Sequence, residues 1–147
     1  MENTYKKREE ILAEIYRNSQ LALQSISNIL PETNDEALRN EILREHEEYE
    51  RISARASVLA KDRGIELKEP NPLKKAMMWG SIKMNAMKDS SRSHIAEMMI
   101  QGTVMGITAL KSSAGDASEV NDGEVWDLLQ EFIQLEEGFE KTLKEYL

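Results

Sequence analysis

The sequence predicts an all-α fold built as a helical bundle, on three observations. Apolar residues recur at three- and four-residue spacing through four long stretches. No stretch sustains the apolar–polar alternation of a half-buried strand. Glycine and proline are scarce, 7 and 3 of 147 residues, and punctuate the helical stretches. The spacing predicts helices over about 4–30, 34–63, 72–88, 90–112 and 122–147, packed as one domain over 1–147.

The first stretch carries Ile11, Ile15, Ser19, Ala22, Ile26 and Ile29 on one stripe and ends at Pro31. Thr33 and Glu36 have the spacing of a capping box and open the second. Its stripe is Leu38, Ile42, Glu45, Tyr49, Ile52, Ala56 and Leu59. Gly64 supplies the left-handed residue that closes it. Asn71-Pro72 opens the third region, a cap with proline at the first helical position. Its periodic residues are Met77, Ser81, Met84, Ile95, Met98, Gly102, Met105 and Ala109, continuing to about Lys111. Unbroken, that helix is roughly 60 Å long, against roughly 45 Å for the second. A break at Lys88–Ser91 resolves the mismatch, with Asp89 or Ser90 capping a new helix. Ser112–Asn121 reads as a polar loop. Asn121-Asp122-Gly123-Glu124 restarts a helix with acidic residues in its first turn. That helix carries Val125, Leu129, Phe132, Glu136, Phe139, Leu143 and Tyr146.

Composition excludes several functions. The formal net charge is −8 and the isoelectric point about 4.9, a poor match for nucleic acid. With no cysteine there is neither a disulfide framework nor a thiolate metal site. No apolar run approaches the ~18 residues that span a membrane. Met1-Glu2-Asn3-Thr4 lacks the apolar stretch of a signal peptide, so a cytoplasmic location is expected. There is no Gly-rich phosphate loop, no Gly-x-Ser-x-Gly and no EF-hand loop.

Two carboxylates interrupt apolar stripes: Glu45 between Ile42 and Tyr49, and Glu136 between Phe132 and Phe139. Both fall near mid-height of their helices, and folding the first two helices about Thr33 places Ser19 opposite Glu45. A polar middle layer of Ser19, Glu45 and Glu136 is thus predicted. A buried carboxylate is costly unless paired, hydrogen-bonded, metal-bound or protonated. The sharp expectation is a metal or acid–base site. The plain one is that each glutamate meets a basic side chain, tyrosine or water. His94 is the candidate third ligand if it reaches mid-height. His46 lies on the flank of the second stripe. Seven of the eight methionines lie between Met77 and Met105; their spacing reads as adaptable core filling rather than a thioether copper site. Gly102, Gly106, Ala109 and Ser113 form a small-residue row that lets two backbones approach, inside the bundle or in a homo-oligomer.

Four helices with acidic residues at mid-core resemble the ferritin-like superfamily, nearest to its small bacterial stress-type bundles. Trp79-Gly80-Ser81-Ile82-Lys83, then Asp89-Ser90-Ser91, then Glu97 and Gly102-Thr103, look similar to the third helical region of those proteins. The resemblance implies a di-metal site built from a Glu on each of two helices and Glu-x-x-His on the other two. This chain departs from it: Leu43 precedes His46 by three positions, Ser91 precedes His94, and Thr103 stands where a Glu is wanted. The expectation is a ferritin-like bundle without a complete di-metal site, leaning away from catalysis and toward a structural or binding role, with no cofactor. The alternative is a reduced iron, manganese or zinc site on Glu45, Glu136 and His94. A face of Met77, Met78, Trp79, Met84 and Met87 could instead dock a partner or a lipid surface. The sequence names no protein partner.

Overall fold

Four of the helices start where a side chain accepts their first free N–H groups. The computed structural model describes residues 2–69, 71–115 and 117–147, with the side chains of 2–6 and 117 excepted. Among these residues there are six α-helices and no strand: α1 (Glu2–Ile29), α2 (Glu36–Asp62), α3 (Pro72–Lys88), α4 (Arg92–Ala114), the single turn α5 (Ala117–Val120) and α6 (Gly123–Leu143). Asp35, Asn71, Ser91 and Asp122 cap α2, α3, α4 and α6.

Two caps differ from expectation. Thr33 does not open α2. A 3-10 turn over Leu30–Glu32 follows α1, and the Thr33 hydroxyl donates to the Ile29 carbonyl at 2.9 Å. The helix start moves on to Asp35, which accepts from the Leu38 amide at 2.9 Å. The break after α3 falls where predicted, but Ser91 is the cap; Asp89 accepts from the Ser91 amide at 3.0 Å and shapes the turn. Gly64 at φ +66° closes α2 as expected, and the Ile65 amide returns to the Ala60 carbonyl at 2.8 Å. The expected polar loop 112–121 is shorter than predicted, because α4 runs to Ala114 and α5 fills part of it.

Ion pairs and hydrogen bonds fix the helix directions. Arg63 at the end of α2 and Arg8 near the start of α1 both reach Asp122, the cap of α6. At the other end Tyr146 donates to the Ala37 carbonyl at the start of α2, at 3.5 Å. Lys83 in the second half of α3 pairs with Glu32, just beyond α1. Gly115, after α4, lies against Lys7. Thus α1 and α6 run one way, and α2 and α4 the other. α3 packs along α1 and carries the chain back the length of the molecule between the parallel pair α2 and α4. α1 packs on α2 and α4, and α6 on α4 and α2, around one core that includes Phe132, Phe139, Ile11, Leu12, Ile42 and Leu110.

α3 stands outside this core. Only Ala86 of its 17 residues is fully buried. Trp79 and Ile82 turn inward, and Lys75 lies 4.7 Å from the Trp79 ring centroid. Its other side leaves Leu73, Met77, Met84 and Met87 62–70% exposed. The methionines are therefore not uniformly core filling. Met105 on α4 is also exposed, and Met99 is the buried one among those on α3 and α4. A three–four spacing gives the stripe but not which side of a peripheral helix meets a neighbour.

Candidate functional site

Glu45 and Glu136 are both inside, 0% and 2% exposed. The apolar turns on either side of each one make this unavoidable: Ile42 and Tyr49 must be buried on α2, and Phe132 and Phe139 on α6. Tyr49 is wedged between the two phenylalanines, its ring centroid 6.0 Å from Phe132 and 5.3 Å from Phe139. Its phenol faces Glu136 from the α2 side closely enough for each to shift the other's titration, with Thr103 of α4 beside it.

Among the described residues neither carboxyl has an ion pair, and both Glu45 oxygens and Glu136 Oε2 are buried without a donor. An ionised carboxylate in that position is uncompensated, so the protonated form wins. Burial pushes Glu136 up to about 8, and the hydrogen bond from Tyr49 only partly opposes this. Burial also pushes Glu45 up, to about 10; its hydrogen bond to Glu41, the Glu41 charge and the more distant Glu136 charge add to the rise, against Arg44. Glu41 is the opposite case. Burial works to raise it, but Arg44 grips both its oxygens at 2.9 and 2.6 Å, Glu45 donates to it, and it is held low. Glu45 is thus held protonated beside the ionised Glu41. Tyr49 rises for the same reason, through burial and the nearby glutamates.

On its α4 side the Glu136 carboxyl lies against Gly106, where a Cβ would stand 3.3 Å from Oε2. Here α3 and α4 make little contact with each other. The cleft between α1, α3 and α4 has a volume of about 510 Å³, within the range of small-ligand sites. Its walls include Ile26, Ile82, Met98, Met99, Gly102 and Ala109, and Glu136 and Tyr49 lie at its floor. A second hollow of about 690 Å³, on the other side of α3, is lined by mixed charges from Glu9 and Arg17 to Lys75.

The predicted site residues do not all meet. Glu45 and Glu136 come close enough to feel each other's charge. His94 is elsewhere, in the first turn of α4, with Nε2 3.2 Å from Asn85 Oδ1 and Nδ1 4.0 Å from Asp89. Gly106, beside Glu136, is roughly 18 Å farther along α4. Among the described residues no three His, Asp or Glu side chains gather as a metal-ligand group. His46 sits on the flank as predicted and pairs with Glu50 at 2.7 Å. Ser19 is buried but not beside Glu45. Gln20 donates to Ser53 at 2.6 Å, which puts this turn of α1 roughly 12 Å from Glu45 along α2. The 3-10 turn lengthens the α1–α2 connection and shifts the register away from a fold about Thr33. Tyr49 was read only as a stripe residue and Thr103 only as the place of a missing ligand, and the cleft itself was not foreseen from the sequence. The row Gly102, Gly106 and Ala109 was the available signal; it lines the cleft, and at Gly106 it lets the Glu136 side chain of α6 come close to the α4 backbone.

No protein-family model, no curated protein and no solved structure matches the chain. Among the described residues, no helix is long and apolar enough to cross a membrane.

Proposed function

We propose that the chain is a ferritin-like helical bundle without a di-metal centre, acting as a binding module through the cleft between α3 and α4. Its ferritin-like character is supported by the single long crossover that leaves α2 and α4 parallel, the connectivity of that superfamily. The absence of any Glu-x-x-His supports the lack of the metal centre. The binding role rests on one observation: a neutral, incompletely hydrogen-bonded carboxyl at the floor of a largely apolar cleft. Such a group is the convergent polar element of a ligand pocket. A neutral fluorescent amphiphile, N-phenyl-1-naphthylamine, tests it. One probe should bind per chain with a blue-shifted emission. Gly102→Leu should abolish binding without unfolding, because its Cβ enters open space on the cleft wall. Binding of the probe by Gly102→Leu as tightly as by the natural protein would sink the proposal.

A reduced metal site on Glu45 and Glu136 is the competing function, favoured by the three donor-free carboxyl oxygens. Iron(II), manganese(II) or zinc(II) would have to displace protons from both groups. Metal-induced thermal stabilisation, abolished by Glu45→Ala and by Glu136→Ala, would establish it; unchanged melting excludes it.

A further inference from the structure

The chemistry of the cleft walls restricts what fits, on the premise that the cleft is a binding site. Around Glu136, α2 contributes Glu45, protonated and turned to Glu41, and the Tyr49 phenol. α4 contributes Thr103, whose hydroxyl is already committed to the Met99 carbonyl at 2.7 Å, and the bare backbone of Gly106. The α3 wall, from Met78 through Ser81 and Ile82 to Asn85, carries no charge. α1 brings Glu14 and Arg17 to the cleft, but these pair with each other. Among the described residues no unpaired charged side chain lines the cleft to neutralise a charged ligand.

An anionic head would meet, among the described lining residues, only Arg17, a half-exposed side chain that already pairs with Glu14. An ammonium head would require Glu136 to ionise and would bury three donors where the floor has few free acceptors, a desolvation cost that a lone ion pair does not offset. A hydroxyl or primary amide head fits, because a protonated carboxyl both donates and accepts. Methionines at 78, 98 and 99 line the apolar part and adapt to flexible aliphatic chains.

We propose that the cleft takes an uncharged amphiphile, an aliphatic body with one hydroxyl or primary amide head, the head hydrogen-bonded to the Glu136 carboxyl. Glu136 reads the head and the α3–α4 walls hold the body.

The experiment is displacement of N-phenyl-1-naphthylamine at neutral pH by four ten-carbon probes: 1-decanol, decanamide, decanoate and decylammonium. Decanol and decanamide should displace it at about tenfold lower concentration than either ion, the size of one hydrogen bond plus an avoided charge burial. Glu136→Gln keeps an uncharged donor and acceptor and should retain that preference. Glu136→Leu should weaken decanol by about tenfold more than it weakens the naphthylamine probe. Strongest displacement by decylammonium, equal displacement by all four, or an unchanged decanol affinity in Glu136→Leu would each overturn the head-group assignment. Failure of the natural protein to bind the naphthylamine probe at all would instead remove the cleft as a binding site.

Discussion

Glu136 sits in the folded chain with a proton that the unfolded chain gives up. Its ordinary value is 4.5 and its folded value about 8. Between these the folded state binds more protons, so the group's contribution turns unfavourable as pH rises through that window and levels off above it. Glu136→Gln removes this penalty. It should stabilise the protein by up to about 4 kcal/mol near pH 7.5, at 1.36 kcal/mol per unit, and by almost nothing near pH 4.5. Urea unfolding of both proteins at the two pH values measures it; equal gains at both would contradict the assignment. The burial of Glu45 and Glu136 was legible in the sequence, because each lies between residues that have to face the core. Their solution to burial was not. Protonation depends on which donors other helices bring, and the nearest arginine, Arg44, is taken by Glu41. His94 failed as a partner because the α3–α4 break put it in the first turn of a helix rather than at its middle.

Element by element, the caps and the outer helix decide most of what can be tested. Asp122 accepts the Val125 amide at 3.3 Å, holds Arg63 through both oxygens at 2.6 and 3.0 Å, and also meets Arg8. It thus ties α6 to α2 and α1 at one end of the molecule. Asp122→Ala should cost roughly 1–3 kcal/mol in urea unfolding, cap and charged hydrogen bonds together. Asp122→Ser, which restores only the cap, should recover part of that loss. On α3, Met77→Ser and Met84→Ser should change stability by less than about 0.5 kcal/mol, since both side chains face solvent. A loss of 2 kcal/mol or more would mean that this face is covered. Helix positions were readable because periodicity, Pro31, Gly64 and Asn71-Pro72 are local signals. The orientation of α3 was not, since both of its sides are apolar and only one has a neighbour.

Across the whole molecule two opposing titrations set the stability profile. The Arg63 hydrogen bonds hold Asp122 below its usual range against the effect of burial, so its contribution is present above the ordinary carboxylate value and fades on acidification through the lowered one. Glu45 and Glu136 act in the other direction, and the loss begins above their ordinary value of 4.5. The melting temperature should therefore peak at mildly acidic pH, about 5, and fall toward pH 8.5. The double variant Glu45→Gln, Glu136→Gln should flatten the alkaline limb. The crossover connection has no local signature in the sequence. Its direction depends on Lys83 finding Glu32, and on Arg63 and Arg8 meeting at Asp122, distant pairings that no local pattern encodes.

A helix that buries one residue of seventeen, tethered by Asp89–Ser91 at one end and residues 63–71 at the other, has little to lose by coming away. Its amide protons should exchange with deuterium far sooner than those of α2 or α6, through an opening event much smaller than global unfolding. Decanol, if it bridges the α3 and α4 walls, should slow that exchange in α3 selectively.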